Sequence, residues 1–272
     1  PEQLNEEVAY AVGRAFVSFL NPSEVIVGRD MRLSSPAMKA HLLRGLTEQG
    51  ADVIDIGMVS TDQYYYACAT LNKPGLMVTA SHNPPQYCGF KMVRDMPYLL
   101  SGDSGIGDLH RIVKNRAELQ RRVREEGADI GFAFDGDGDR FFVIDDRGEF
   151  VPGDFVTALM GCYMLEKYPG AKIVYDVRCS WAVRDMIGET GGTALIERVG
   201  HSFIKPRMFE EGAVYAGELS GHYYFSDFFG ADSGLVPALL MLEMLSRRSI
   251  KLSALLQPLE SRYFLSSEIN SR

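Results

Sequence analysis

The chain has 272 residues, of which 46% are hydrophobic and 24% are charged, and its formal net charge at pH 7 is −8. This length suits about two domains, and the composition excludes collagen-like, disordered and coiled-coil proteins. The acidic balance disfavours a general nucleic-acid-binding protein, because an acidic chain is repelled by phosphate backbones.

The apolar runs and the cysteines bear on where the protein works. No uncharged apolar run approaches the roughly 18 residues of a membrane span, and no signal-peptide pattern opens the chain. The four cysteines, Cys68, Cys88, Cys162 and Cys179, are scattered and form no C-x-x-C pair. We therefore expect a cytoplasmic protein with reduced thiols and no membrane partner.

In chain order, the first half of the sequence alternates helical and strand patterns. Apolar residues recur at helical spacing between Pro1 and Leu20 and predict the first helix. Further helices are predicted from Ser34 to Gly50, with Pro36 in the first turn, and around Asp62–Leu71. The predicted strands are 24–28, 52–56 and 76–79.

The second half of the sequence repeats this alternation. Its predicted strands are 128–134, 140–144, 172–177, 193–198 and 214–217, and its predicted helices are 153–167, 181–189 and 235–246. Such alternation implies βαβ crossovers. We therefore predict consecutive α/β domains with mostly parallel mixed sheets, joined near the Gly- and Asp-rich stretch 101–108.

The first loop with chemical potential is Thr79–Pro85, which directly follows a predicted strand. Loops beyond the carboxyl ends of parallel strands are where ligands bind, so Ser81 is a candidate nucleophile and His82 a candidate proton donor or acceptor. The absence of G-x-S-x-G around Ser81 excludes a hydrolase elbow. An ordinary Ser/Asn/Pro turn remains the alternative.

The second loop, Asp135-Gly-Asp-Gly-Asp-Arg140, also follows a predicted strand. Glycines between Asp135, Asp137 and Asp139 let the backbone curl so that the three carboxylates converge, and hard oxygen ligands of this kind suit Mg²⁺. The alternatives are an exposed acidic turn and an EF-hand. The EF-hand fails because Arg140 stands at its sixth position and Asp146 at its twelfth.

The third loop, Gly217–His222, presents Glu218, Ser220 and His222 after another predicted strand. These three types of polar group are able to hydrogen-bond the neighbouring hydroxyls of a sugar. On these residues alone, a surface loop without function is as good an interpretation.

The three loops, T-A-S-H-N-P, D-G-D-G-D-R and G-E-L-S-G-H, occur in this order, and three more segments join them: 28–35, 89–91 and 200–205. Together they resemble the α-D-phosphohexomutase family, most closely its bacterial phosphomannomutase/phosphoglucomutase branch. The E-L-S-G-H segment favours this branch, because phosphoglucosamine mutases usually carry glutamine before that serine.

The resemblance implies reversible interconversion of hexose 6-phosphate and hexose 1-phosphate, with mannose favoured over glucose. Ser81 would be the phosphoserine, and Mg²⁺ would be held by Ser81, Asp135, Asp137 and Asp139. Hexose 1,6-bisphosphate would be the intermediate and the primer. The implied partner is a phosphosugar substrate, while the oligomeric state stays open.

The resemblance also implies roles for the remaining motif residues. Arg140 would bind phosphate, and Lys91 and His82 would transfer protons, while Arg29 would shape the phosphoserine loop. The implied sugar-binding residues are Glu218, Ser220, His222, Arg178 and His201.

The sequence departs from the family's four-domain pattern. The family's opening strand, most of the first βαβ unit of its second domain and the phosphate-binding motif of its fourth domain are not found. We expect these segments to belong to a longer protein. The expected organisation is a phosphoserine-loop domain at 1–113, a remnant of the second domain with the metal loop at 114–149, a sugar-binding domain at 150–264, and the start of a C-terminal domain at 265–272.

Three other functions stay open at this point. A phosphoglucosamine mutase would share most of the motifs. An Mg²⁺-dependent phosphatase would use the acidic loop without phosphorylation of Ser81. A phosphosugar-binding protein without catalysis is suggested by the lacking phosphate-binding motif.

Overall fold

The computed structural model describes residues 5–81, 83, 84, 86–96, 98–100 and 109–263. The helices in this part of the chain are α1 (Glu6–Leu20), α2 (Ser35–Glu48), α3 (Thr61–Leu71), α4 (Leu109–Glu126), α5 (Gly153–Lys167), α6 (Trp181–Glu189), α7 (His201–Glu211), α8 (Leu235–Arg248) and α9 (Leu252–Arg262). Within the described ranges, no helix is both long and apolar enough to cross a membrane.

The strands form three sheets. They are β1 (Glu24–Arg29), β2 (Asp52–Met58), β3 (Gly75–Val78), β4 (Phe90–Asp95), β5 (Tyr98–Leu100), β6 (Ile130–Phe134), β7 (Phe141–Asp145), β8 (Phe150–Val151), β9 (Lys172–Asp176), β10 (Thr193–Glu197), β11 (Tyr215–Gly217), β12 (Tyr223–Phe225) and β13 (Ala231–Asp232).

The first and second sheets are built alike. The first has the order β2-β1-β3-β4-β5 and the second has the order β10-β9-β11-β12-β13. In each of these sheets the first three strands are parallel to one another. Each of the last two is antiparallel to the strand before it in the order. The carboxyl ends of the parallel strands therefore share one edge, where ligand-binding loops are expected.

The third sheet, β6-β7-β8, is antiparallel throughout. Helix α4 covers one face of this sheet. The sheet's side chains Phe141, Val143 and Val151 pack into the same hydrophobic core as α5 and the second sheet. The acidic loop between β6 and β7 is thus anchored to the second sheet.

The predicted mixed α/β architecture is confirmed, and α5 and α6 begin and end where the sequence predicted. Parallel strands make up a smaller share of the two five-stranded sheets than predicted, because β4 and β5 complete the first sheet and β12 and β13 complete the second with antiparallel pairings. Helix α4 runs unbroken across the predicted boundary between 113 and 114. The boundary stretch 101–108 and the predicted C-terminal piece 265–272 lie outside the described residues.

Candidate active site

The three loops singled out in the sequence meet at one place. Ser81 lies just beyond β3, and its Oγ donates to Oδ2 of Asp135 at 2.9 Å. On the other side of the acidic loop, Nε of Arg140 donates to Nε2 of His222 at 3.2 Å. The acidic loop therefore lies between the serine loop and the 217–222 loop and contacts both.

The backbone at Ser81 has an unusual conformation. Its φ of +48° lies in the left-handed region, which residues other than glycine adopt rarely. Its N–H donates to Oγ1 of Thr79 at 2.9 Å. Such strain is kept only where surrounding contacts hold it. His82 and Pro85 lie outside the described residues, so the predicted role of His82 stays a prediction.

The contacts that hold the serine loop come from Arg32. Its guanidinium donates to the carbonyl oxygens of Asn83 at 2.6 Å and of Pro84 at 2.9 Å, and also to that of Ser81. Arg29, which we predicted to shape this loop, donates to the carbonyl of Asp30 at 3.0 Å. The side chain that reaches the loop is thus the second arginine of the G-R-D-M-R segment.

The acidic loop brings its three carboxylates together as predicted. One oxygen from each of Asp135, Asp137 and Asp139 lies within 4.8 Å of the others, and their side chains are at most 3% exposed. Gly136 permits this approach, since a Cβ there would lie 2.7 Å from the carbonyl oxygen of Ser81. Three buried carboxylates at this separation repel one another unless cations compensate them.

Lys91 supplies part of that compensation from β4. Its Nζ lies 3.0 Å from Oδ2 of Asp137 and also donates to Asp139. Burial would lower the pKa of Lys91, but the carboxylates of Asp137 and Asp139 raise it well above its usual value. Lys91 is therefore an ammonium group here.

The pKa values of Asp135 and Asp139 shift in opposite directions because their surroundings differ. Burial, reinforced by the neighbouring carboxylates of Asp139 and Asp137, raises the pKa of Asp135. Burial acts in the same direction on Asp139, but the ammonium of Lys91 outweighs it and lowers the pKa of that carboxyl well below its usual value.

Two carboxylate oxygens of this cluster fit a metal ion. Oδ1 of Asp137 and Oδ1 of Asp139 are buried and have no hydrogen-bond partner in the part of the chain that the structure describes. A buried carboxylate oxygen without a partner is costly, and Mg²⁺ prefers such hard oxygen donors. The residues therefore fit a divalent cation bound at this loop.

A second group of candidate metal ligands, Asp139, His222 and Asp232, overlaps the first. Asp232 already pairs with a cation, since its Oδ1 lies 2.5 Å from Nζ of Lys205. Both side chains are 2% exposed, and the Lys205 ammonium also lies 4.6 Å from the ring centroid of Tyr65. The acidic loop is the better site for a hard cation, because it offers three carboxylates where this group offers two and an imidazole.

Glu218, the predicted sugar-binding carboxylate, is 2% exposed. One oxygen accepts the N–H of Gly200 at 3.0 Å, and the other accepts the hydroxyl of Tyr224. Nη2 of Arg178 lies 3.7 Å away and donates to Asp176 at 2.8 Å. Glu218 therefore ties the 217–222 loop to the start of α7 and to β12.

His222 and Ser220 form a hydrogen-bonded pair. The guanidinium of Arg140 carries only hydrogen-bond donors, so its bond to Nε2 of His222 requires a lone pair on that nitrogen. The proton of the neutral ring then lies on Nδ1, which donates to Oγ of Ser220 at 3.0 Å. Nε2 also lies 3.6 Å from Oδ2 of Asp139, at the junction of the two loops.

His201 begins α7 beside this junction. Burial and the Lys205 ammonium lower its pKa to about 4, so the ring is neutral near pH 7.

The structure therefore brings Ser81, Lys91, the acidic loop and the 217–222 loop together, with Arg178 and His201 at the margin.

Sequence reasoning missed several residues that support the site. Thr79 was quoted only as part of a motif, yet its hydroxyl donates to Asp137 at 3.1 Å. The N–H of Thr61, at the start of α3, donates to the carbonyl of Asp137 at 2.9 Å. Arg32 and the Lys205–Asp232 pair were also missed. Thr79, Arg32 and Lys205 lie in segments that had been quoted, but nothing in the sequence pairs Lys205 with Asp232.

Comparison with protein-family models gives three matches along the chain. Residues 1–117 match phosphoglucomutase/phosphomannomutase alpha/beta/alpha domain I, residues 112–148 match domain II, and residues 152–263 match domain III. The domain I match contains the first sheet, the domain II match contains β6 and β7 of the third sheet, and the domain III match contains the second sheet.

Individual relatives agree with the family models. A phosphomannomutase of Escherichia coli K12 is 33% identical over 365 aligned residues, which cover 100% of this chain and 80% of that protein. A protein of Xanthomonas campestris named "Phosphohexose mutases" is 31% identical and covers 99% of this chain, with 80% of its own length aligned.

A solved structure shows the same fold. The crystal structure of a phosphoglucomutase/phosphomannomutase family protein from Burkholderia thailandensis superposes with a TM-score of 0.80 at 30% identity, over 90% of this chain and 74% of that one. With these matches and with the loops assembled as described, the chain belongs to the phosphoglucomutase/phosphomannomutase family.

Proposed function

We propose that the protein is a phosphomannomutase/phosphoglucomutase that interconverts hexose 6-phosphate and hexose 1-phosphate, with mannose favoured. Ser81 would carry the phosphoryl group, and hexose 1,6-bisphosphate would be the intermediate and primer. The observation that carries this proposal is the contact of 2.9 Å between Oγ of Ser81 and Asp135, in a cluster whose other carboxylates keep buried oxygens without a partner among the described residues.

The reaction needs charge compensation at Ser81. A phosphoserine carries about −1.5 to −2 charge, and phosphoryl transfer depends mainly on positioning and on neutralising that charge. Asp135, Asp137, Asp139 and Ser81 would hold Mg²⁺, which when bound would neutralise phosphate charge and polarise its oxygens. Arg140 would bind a phosphate oxygen beside the acidic loop.

Each half of the reaction balances in atoms and charge. In the first half, the bond between Oγ of Ser81 and phosphorus breaks while a sugar hydroxyl oxygen bonds to phosphorus, and the proton of that hydroxyl ends on Oγ of Ser81. In the second half, the bond between the other phosphorus of the bisphosphate and its sugar oxygen breaks while Oγ of Ser81 bonds to that phosphorus, and the proton of the serine hydroxyl ends on the released sugar oxygen.

The proton must be accepted near the junction of the loops. His222 would accept it, since its Nε2 lies at this junction, 3.2 Å from Nε of Arg140 and 3.6 Å from Oδ2 of Asp139. Lys91 would act as a hydrogen-bond donor in this arrangement, because the neighbouring carboxylates keep it protonated and raise its pKa.

The preference for mannose rests on the relatives named phosphomannomutase and on the E-L-S-G-H segment. Ser220, His222, Arg178 and His201 surround the expected sugar position, with Glu218 behind them. Groups that bind hydroxyls in either orientation of the bisphosphate would let the intermediate turn around between the two transfers.

A coupled assay tests the proposal directly. Purified protein is given Mg²⁺, a hexose 1,6-bisphosphate primer, and either mannose 1-phosphate or glucose 1-phosphate, and the 6-phosphate product is followed. We expect turnover of both, faster with mannose. Bisphosphate binding without turnover would favour a binding protein, and release of inorganic phosphate in place of product would favour a phosphatase.

A further inference from the structure

We infer that Arg32, fixed by Asp30, is a positioning residue that holds the Ser81 loop in the conformation from which Ser81 exchanges its phosphoryl group. The inference rests on the proposed function, but it concerns residues outside the acidic loop and the 217–222 loop. It assigns the second arginine of G-R-D-M-R to this task and leaves Arg29 outside it.

The sheet itself brings Arg32 to the serine loop. β1 and β3 are parallel neighbours, with Arg29 paired to Val78 at their carboxyl ends. The N–H of Asp30 continues this pairing and donates to the carbonyl of Val78 at 3.0 Å. The turn after β1 therefore lies beside the turn after β3, and the Arg32 side chain between them is 8% exposed.

One guanidinium group serves three backbone carbonyls of the serine loop. Nη1 donates to Pro84 at 2.9 Å, and Nη2 donates to Asn83 at 2.6 Å and to Ser81. Carbonyl dipoles that converge on one point repel each other, so this loop conformation depends on a cation with several donors. A planar guanidinium offers five donors in a fixed fork, whereas a lysine ammonium offers a single point charge.

Asp30 fixes the other side of Arg32. Its side chain is 1% exposed, its Oδ2 accepts from Nε of Arg32 at 3.1 Å, and its Oδ1 accepts the backbone N–H of Arg32 at 3.1 Å. The hydroxyl of Ser35 also donates to Oδ1. A buried carboxylate with these partners leaves the guanidinium little freedom, so it acts as a rigid support.

The support reaches the reacting atom through the backbone of Ser81. The carbonyl of Ser81 that Arg32 holds lies 2.7 Å from the position of a Cβ on Gly136, so the serine and acidic loops meet backbone to backbone at that point. With the carbonyl fixed and φ at +48°, Oγ is directed to Asp135. A loop released from Arg32 would lose this direction without losing any group that touches substrate.

The test compares Arg32→Lys and Arg32→Met with Arg44→Lys, an arginine on the exposed face of α2. The rate at which hexose 1,6-bisphosphate phosphorylates Ser81 is measured by rapid quench and peptide mass spectrometry, together with Mg²⁺ affinity and thermal unfolding. A misplacement of about 1 Å costs about a hundredfold in rate. We therefore expect Arg32→Lys to slow phosphorylation about a hundredfold, with Mg²⁺ affinity and the half-saturating bisphosphate concentration nearly unchanged.

Arg44→Lys should match the unmodified protein in all of these measurements. Should either Arg32 variant fold poorly, Asp30→Asn loosens the same support while keeping the guanidinium, and it should slow phosphorylation by a smaller factor. Combined with Arg32→Lys it should add little, because both changes remove one support.

Two results would overturn the inference. One is phosphorylation of Arg32→Lys at the unmodified rate. The other is a loss of rate matched by an equal loss of Mg²⁺ affinity or of folded protein, which would make Arg32 merely structural. Failure of the unmodified protein to be phosphorylated at all would instead refute the proposed function, and the inference with it.

Discussion

The two halves of the site treat their carboxylates in opposite ways. In the acidic loop, Asp137 and Asp139 each keep a buried oxygen without a hydrogen-bond partner among the described residues. In the 217–222 loop, both oxygens of Glu218 accept hydrogen bonds from the protein, from Gly200 and Tyr224. The acidic loop therefore fits a cation, whereas Glu218 holds its own surroundings together.

The two halves of the site have different tasks in the proposed reaction. We call the acidic loop with Ser81 and Lys91 the phosphate half, and the 217–222 loop with Arg178 the sugar half. The phosphate half is assembled in advance around Ser81, with Lys91 and Arg140 as fixed cations. In the sugar half, Ser220 and His222 are linked to each other, and Arg178 is 40% exposed and so accessible to a ligand. Changes in the phosphate half should therefore affect phosphoryl transfer itself, and changes in the sugar half should affect sugar handling.

The largest expected effect comes from Ser81→Ala. Removal of Oγ should abolish phosphorylation and turnover, while the fold stays intact because the residue is a partly exposed loop residue. Ser246→Ala, at the exposed end of α8, is the matched control and should be fully active. Substantial turnover by purified Ser81→Ala would show that another group carries the phosphoryl.

The next effect concerns the metal. Asp137→Asn replaces one of three anionic ligands by a neutral amide, so Mg²⁺ affinity measured by calorimetry should fall at least about tenfold. Asp129→Asn, at an exposed position just before β6, should leave the affinity unchanged. An unaltered affinity in Asp137→Asn would exclude this loop as the metal site.

Glu218→Gln should act on the sugar half alone. It weakens the bonds from Gly200 and Tyr224, and a charge-assisted hydrogen bond contributes about 1.5–3 kcal/mol, or about ten- to a hundredfold. We expect slower turnover and more free bisphosphate released per turnover, with normal phosphorylation of Ser81. Glu210→Gln on α7 is the exposed control.

Tyr224→Phe separates two explanations for the role of Glu218. It removes one partner of Glu218 and leaves the carboxylate. If Glu218 mainly supports its loop, Tyr224→Phe should reproduce part of the bisphosphate leakage of Glu218→Gln. If Glu218 mainly grips the sugar, Tyr224→Phe should release no extra bisphosphate.

The smallest expected effects are shifts in stability with pH, of opposite sign in the two halves. Burial, helped by Asp232 and Asp139, raises the pKa of Asp62 at the start of α3 to about 7. The folded state then binds an extra proton between about pH 4 and 7, so this contribution to stability decreases as pH rises through that range. Asp62→Asn should therefore melt a few degrees higher than the unmodified protein at pH 8 and lose this advantage at pH 5.

His201 shows the reverse dependence. Its folded-state pKa is lowered to about 4, so its contribution is fully present above its usual value of 6.5 and is lost as pH falls from there towards 4. His201→Gln should reduce the loss of melting temperature between pH 7 and pH 5. Equal slopes in both proteins would contradict the lowered pKa of His201.

Sequence reasoning was strongest where a residue's neighbours in the chain determine its surroundings. The alternating glycines predicted the convergence of Asp135, Asp137 and Asp139, and the helical patterns predicted α5 and α6. It was weakest for partners far apart in sequence. The bonds from Arg32 to residues 81, 83 and 84, and the enclosure of Glu218 by Gly200 and Tyr224, depend on which strands become neighbours.

Sequence reasoning also left out α7, α9, β4 and several short antiparallel strands. β12 and β13 have three and two residues, too few for an alternating pattern to emerge, and their apolar and aromatic residues suited several structures. They matter for the site because β12 carries Tyr224 and β13 carries Asp232. The sugar half was therefore less predictable than the phosphate half.

The most direct test of the central claim is phosphopeptide mass spectrometry after incubation with hexose 1,6-bisphosphate and Mg²⁺. The account predicts one phosphoryl group, on Ser81, that is lost when mannose 6-phosphate or mannose 1-phosphate is added and that forms far more slowly in Asp137→Asn. A phosphoryl group on another residue, or an equal rate in Asp137→Asn, would contradict it.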